Sequence, residues 1–233
     1  MGARLPIFPL GTVLFPGLVL PLHIFEERYR ALVRHLVGLP DGRPREFGVV
    51  AIRSGWEVLP PPGAADDPAD TVVSFYEVGC TAEVRQVTEL ADGNFDLVTV
   101  GRRRFRIVDV DDRSAPYLIA EVEWLTEPAE PDDSADLLAP RVLAVFRQYL
   151  GLIRVDSQEI SEQLPEDPTV LSHLVAATAA LTVGDRQRLL AIPDTANRLR
   201  AELRLLNREA ALLRQVRAVP VPLPELAVRT SPN

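Results

Sequence analysis

Two periodicities divide the chain. Between Phe47 and Trp124 the apolar positions form short runs or alternate, as buried and half-buried strands require. Phe47-Gly-Val-Val-Ala-Ile52 is a short apolar run. In Val78 to Arg85, the residues Val78, Cys80, Ala82 and Val84 share one face, and Thr81, Glu83 and Arg85 the other. Asp92-Gly93 is a hairpin signal leading into a strand from Phe95 to Val100. Arg104 to Val110 and Tyr117 to Trp124 continue the series. One helix precedes them, with Phe25, Tyr29, Leu32, Val33 and Leu36 at helical spacing. Successive strands with short turns and one early helix predict a closed or half-closed barrel.

Beyond residue 134 the period becomes helical. Four segments are expected: Ala135 to Leu152, Pro168 to Leu181 capped by Asp167, Val183 to Ile192, and a last helix from a cap at Asp194 to about Arg217. In the last, Leu199, Leu203, Leu206, Ala210 and Leu213 trace a heptad seam of about two repeats, too short for a committed coiled coil. Packing against sibling helices is preferred to dimerisation, which stays open as a homodimeric alternative. Arg200, Arg204 and Arg208 form an i, i+4 row of like charge, unfavourable by about 0.2–0.5 kcal/mol per pair. An acidic contact is therefore expected there, from the acids between Glu127 and Asp133 or from an outside acidic partner.

Charge sharpens the division. Residues 1–125 hold 13 Arg against 18 acids, residues 126–136 five acids and no Arg, and residues 137–217 11 Arg against nine acids. The expected organisation is a barrel domain over 1–125, an acidic linker over 126–134, a helical bundle over 135–217 and an extended tail over 218–233. The proline-rich stretch from Pro60 to Asp70 reads as a loop within the first domain. At 233 residues, one or two domains are the natural count.

Composition then excludes chemistry. All 25 basic side chains are arginine. Base composition accounts for such a bias, but whatever its origin it removes a phosphate-binding loop lysine, a Ser-Lys dyad, a Schiff-base lysine and a kinase lysine. Cys80 is the single cysteine, so there is no disulfide framework and no thiolate cage. The apolar start from Leu5 to Phe25 is broken by Pro6, Pro9, Pro16 and Pro21, which suits neither a signal core nor a membrane helix. A reducing cytoplasm is the expected compartment. A net charge of −8 disfavours nucleic acid as a partner.

Individual side chains offer little catalysis. His23 and Glu26 are three apart at a helix start and read as capping or surface residues; His35 and His173 are isolated, and Ser172 and His173 diverge by about 100° on a helix. Cys80 falls on an inward strand face, as a core residue would. Gly101-Arg-Arg-Arg-Phe-Arg106 is the one basic cluster, and strand alternation should split it between two faces. No catalytic, metal-binding or cofactor-binding residue is assigned.

Several segments together resemble a known family. Leu5-Pro-Ile-Phe-Pro-Leu10, Val13-Leu-Phe-Pro-Gly17, Leu20-Pro-Leu22 and Ile24-Phe-Glu-Glu-Arg-Tyr29 resemble the start of the amino-terminal substrate-binding domain of Lon proteases, most of all the stand-alone bacterial proteins of that type. Val78 to Ala82, Asp92-Gly93, Gly101 to Ile107, Asp167 to Leu171, Asp185 to Leu190, Arg198-Leu199 and Glu209 to Leu213 follow in the family's order. The resemblance implies an α+β chain, a PUA-like β pseudo-barrel followed by a small α-helical bundle. In Lon this region helps recognise substrates and supports assembly, and ATPase and peptidase domains follow it. The expectation is a non-catalytic binder of unfolded or partly folded protein segments, an adaptor to a protease or other degradation machinery. Phe8, Phe15, Leu18 and Tyr29 are the expected peptide-binding residues. The alternatives are a PUA-like small-molecule or RNA binder and a dimeric scaffold.

Overall fold

A computed structural model describes residues 3–54, 74–127, 133–153 and 164–218. The stretch from Pro60 to Asp70, residues 128–132 of the expected linker and the expected tail beyond residue 218 lie outside the described residues. The described elements are β1 (Ala3–Leu10), β2 (Val19–Ile24), α1 (Glu27–Val37), β3 (Glu46–Ser54), β4 (Ser74–Phe75), β5 (Val78–Glu89), β6 (Phe95–Asp111), β7 (Leu118–Leu125), α2 (Asp133–Ile153), α3 (Pro168–Thr178), α4 (Val183–Ala191) and α5 (Thr195–Ala218).

The strands close on themselves. β1 pairs antiparallel with β7, from Ala3↔Val122 to Ile7↔Leu118, and parallel with β3, from Ile7↔Gly48 to Leu10↔Ala51. Antiparallel pairs β7–β6, β6–β5 and β5–β3 complete the ring. β2 lies outside it, antiparallel to the first part of β6. Neither β1 nor β2 stands out in the alternation of the sequence. Pro6, Pro9 and Pro21 lie within them, and prolines are tolerated where a strand's N–H is not needed for pairing.

The two strands expected at 95–100 and 104–110 are one strand of 17 residues. It bends where Gly101 meets the turn after Phe15. Gly17 N–H donates to the Gly101 carbonyl and Gly101 N–H to the Leu18 carbonyl, each at 2.8 Å. A Cβ at Gly101 would collide with the Phe15 carbonyl, so only glycine allows this approach. Just after it, Ala82 pairs with Gly101 but Cys80 with Arg104. Arg102 and Arg103 therefore both oppose Thr81, whose Oγ1 accepts from Arg103 N–H at 3.1 Å. This is a β-bulge, and it breaks the alternation the sequence predicts.

Four apolar clusters are found among the described residues, one of them the barrel group of Leu5, Ile7, Val50, Phe105, Ala120 and Val122. α1 packs Tyr29, Leu32, Val33 and Leu36 against Phe8, Phe47, Phe95 and Leu97 of the barrel. In the helical unit Val142, Phe146 and Tyr149 of α2 meet Leu171 and Val175 of α3 and Leu199 and Leu206 of α5. The heptad seam of α5 is thus used within the chain. Between barrel and helices, Val13, Phe15, Ala51 and Val78 pack on Ala176, Leu189 and Leu190. Each fully buried side chain of this size contributes about 1.5–3 kcal/mol. Helix starts follow the expected chemistry: Asp167 Oδ1 accepts from Val170 N–H and Asp194 Oδ1 from Asn197 N–H, both at 2.8 Å.

Candidate functional site

Where barrel meets helices, Glu127 gathers a buried polar cluster. Arg104 is turned inward by the bulge in β6 and is only 2% exposed. Its Nη1 donates to the carbonyls of Leu190 and Ile192, and its Nη2 to that of Pro193 at 3.0 Å. These carbonyls lie at the C-terminal end of α4, where helix carbonyls lack partners and the dipole is negative, so a guanidinium fits on both counts. The same Nη2 lies 2.8 Å from Glu127 Oε1. From α5, fully buried Arg198 places its Nη2 3.0 Å from that oxygen, its Nε on Ser172 Oγ at 2.8 Å and its Nη1 on the Ile192 carbonyl at 3.2 Å. Ser172 thus serves Arg198 and does not pair with His173.

His173, on α3, completes the cluster without being satisfied by it. Its side chain is 6% exposed, and Nε2 lies 3.8 Å from Glu127 Oε1, too far for a hydrogen bond. Among the described residues Nε2 has no hydrogen-bond partner. Burial, with Arg198 and Arg104 nearby, pulls the imidazole pKa down to about 2, so the ring is neutral. It can offer one hydrogen bond, as donor or acceptor according to its tautomer.

This nitrogen belongs to a residue lining a cleft of roughly 550 Å³ between barrel and helices. Arg102, Arg103, Trp124 and Leu125 form one bank, Thr169 and Val170 the other, and Pro16 and Gly17 close an end. The Arg103 guanidinium stacks over the Trp124 ring at 3.8 Å, and Val170 is 50% exposed. The bulge thus brings Arg102, Arg103 and Arg104 to one cleft, where alternation was expected to separate them.

The residues expected to bind peptide lie elsewhere. Phe8 and Tyr29 stack in the barrel core with ring centroids 3.9 Å apart, Phe15 is fully buried beside His173, and Leu18 is half-buried against the same cores. The proline-rich opening is apolar because it builds the barrel, and the rings of Phe8, Phe15 and Tyr29 are all buried. Of the acids expected to meet the arginine row, Glu127 instead meets Arg104 and Arg198, and Glu130 and Asp132 lie outside the described residues. Arg208 meets Asp185 at 2.9 Å and Glu209 at 2.8 Å, Arg200 donates to Asn197 Oδ1 at 2.9 Å, and Arg204 is exposed. His23 pairs with Asp96 at 2.7 Å and Glu26 with Arg28 at 2.8 Å, so those two neighbours do not face one another. Cys80 is buried, which pushes its thiol pKa up to about 12, as befits a core residue. Among the described residues no group of three His, Cys, Asp or Glu side chains could hold a metal ion, and no helix is long and apolar enough to cross a membrane.

Sequence and structure comparisons agree. A family model described as the ATP-dependent protease La (LON) substrate-binding domain matches residues 4–208. Lon protease of Anaeromyxobacter dehalogenans is 30% identical over 217 residues, covering 91% of this chain and 24% of that protein. Lon protease of Escherichia coli K12 is 25% identical over 213 residues, covering 90% of this chain and 25% of that protein. The chain therefore spans about a quarter of the length of these curated relatives. Among solved structures, the N-terminal domain of Mycobacterium avium complex Lon protease superposes with a TM-score of 0.64 at 20% identity, covering 90% of this chain and 98% of that one. A Lon N-terminal domain protein from Xanthomonas campestris gives 0.58 at 25% identity, with 87% and 98% covered.

Proposed function

Since the chain belongs to the Lon substrate-binding domain family, we propose that it is a non-catalytic module that holds exposed segments of unfolded or partly folded proteins in the cleft between barrel and helices. The observation that carries this reading is the cleft itself. It pairs apolar surface, exposed Val170 with half-buried Trp124 and Leu125, with the lining residue His173, whose buried Nε2 has no hydrogen-bond partner among the described residues. An extended segment supplies what each lacks: an apolar side chain for the walls and a backbone amide for the imidazole. The matched family supports recognition, and the match lies wholly within a substrate-binding region. We assign the chain an adaptor role, presenting such segments to a protease in the cytoplasm.

The test is titration of the full chain against an unfolded probe, reduced and carbamidomethylated lysozyme carrying a fluorophore. Val170→Asp places a charge on an exposed wall and should weaken binding about tenfold or more, a loss of at least ~1.4 kcal/mol, with an unchanged unfolding midpoint. Absence of binding by the unaltered chain, or equal binding by the variant, refutes the reading.

A further inference from the structure

β5 outruns its neighbour in the barrel. Its pairing with β3 ends at Glu46↔Glu83, and Val84 N–H makes a last bond to the Arg45 carbonyl at 2.8 Å. From Arg85 to Glu89 the strand pairs with β6 alone among the described residues. A bulge between Val84 and Gln86 resets its alternation. Leu90 N–H donates to the Asn94 carbonyl at 2.9 Å, which fixes the phase of the ladder. The backbone groups of Gln86 and Thr88 then face β6, and those of Val87 and Glu89 face outward.

Those outward groups border a groove. The C-terminal turn of α1 stands across from them, leaving a space of roughly 690 Å³. Its apolar lining comes from Val37, Val84, Val87 and Phe95; Arg34, Arg45 and Arg85 also line it, against a single acid, Glu89. Basic character here runs against the net charge of −8 for the whole chain. The arginines are weakly committed. Arg45 reaches Asp41 only at 3.9 Å, Arg85 meets Glu83 at 3.2 Å, and Arg34 meets Glu27 at 3.0 Å, all with exposed guanidinium groups. Surface pairs of this kind exchange readily for another carboxylate.

We infer that the free edge of β5 is a strand-addition site for an extended acidic segment of another protein. The incoming backbone pairs with Val87 and Glu89, alternate apolar side chains rest on Val37 and Val87, and carboxylates meet Arg45 and Arg85. This rests on reading the chain as a binder of protein segments and adds a second site with its own selectivity. An uncovered edge is otherwise a liability, and its one-signed charge makes it discriminating.

The probes are three labelled nonapeptides: one alternating Asp or Glu with Val, its Asn/Gln counterpart, and the acidic peptide N-methylated at alternate backbone positions. The full chain should bind the acidic peptide about tenfold or more tighter than the other two, with affinity falling as salt rises. The double variant Arg45→Glu/Arg85→Glu should lose this binding yet retain the unfolded lysozyme probe, whose own charge is basic. Equal affinity for the acidic and amide peptides, or binding indifferent to N-methylation, overturns the proposal. So does a concentration-dependent dimer in sedimentation that Val87→Pro abolishes, since the edge would then belong to a second copy. Lysozyme binding without peptide binding overturns the edge alone; loss of both in the unaltered chain overturns the broader reading as well.

Discussion

Arg104 and Glu127 meet at 2.8 Å on the barrel side of the seam with the helices, with Arg104 2% and Glu127 28% exposed. Arg198 uses the same carboxylate oxygen, so one acid compensates two buried guanidinium groups. Removing one partner of a buried pair leaves charge uncompensated, at about 3–5 kcal/mol when burial is complete. With Glu127 partly open to solvent, Glu127→Gln should cost about 2 kcal/mol in urea unfolding. A change below about 0.5 kcal/mol, the range of ordinary surface substitutions, would show that the cluster contributes no stability.

His173 should make the protein sensitive to mild acid. Its folded pKa is about 2, below the ordinary 6.5, so the unfolded chain binds a proton that the folded chain refuses. The associated stability is fully present above pH 6.5 and is lost as pH falls toward the folded value, at up to about 1.4 kcal/mol per pH unit. Denaturant midpoints between about pH 5 and about pH 7 should show this slope, and His173→Gln should remove it.

Glu202 acts in the opposite sense. It is buried, neither carboxyl oxygen has a hydrogen-bond partner among the described residues, and burial raises its pKa well above 4.5 while Arg198 opposes that rise. Its contribution is present below pH 4.5 and is lost as pH rises toward the folded pKa. Glu202→Gln should stabilise the protein at neutral pH by about 1–3 kcal/mol, a gain that fades in acid. Unchanged stability at neutral pH would refute this. Between pH 4.5 and 6.5 the two slopes oppose one another, so each variant should unmask the other's.

Gly101→Ala tests the bend in β6. The new methyl group would strike the Phe15 backbone carbonyl, which cannot rotate away as a side chain would. A loss of about 2 kcal/mol or more is expected, at the upper end for single substitutions. Thermal unfolding within a degree of the parent would mean that the Phe15–Gly17 turn yields.

The sequence made some of this legible. β7 announces itself because buried Ala120 and Val122 alternate with exposed Glu121 and Glu123, and the helix caps at Asp167 and Asp194 are local chemistry, whereas β5 departs from its expected alternation because Val78 to Ala82 are all buried, Thr81 included. β1 was hidden because its last four residues are buried without alternation, and β2 because Pro21 interrupts an edge strand. The resemblance of the opening motif to the Lon family was carried by core residues, which is why Phe8, Phe15 and Tyr29 indicate fold and do not line the cleft. The cleft itself was illegible. His173, Arg104 and Glu127 are far apart in sequence, and a bulge invisible to pattern reading aims Arg104 inward.

The closure of the ring also sets an order of events during synthesis. Ala3 pairs with Val122, so the first strand made must wait for the last strand of the barrel. While it waits, α1 and the β5–β6 hairpin can form from local contacts and Ile7 to Leu10 can pair with β3, but the edge from Ala3 to Ile7 still lacks its antiparallel partner. A nascent chain arrested before residue 118 should therefore attract chaperones through β1, and release beyond residue 125 should end that attraction in one step.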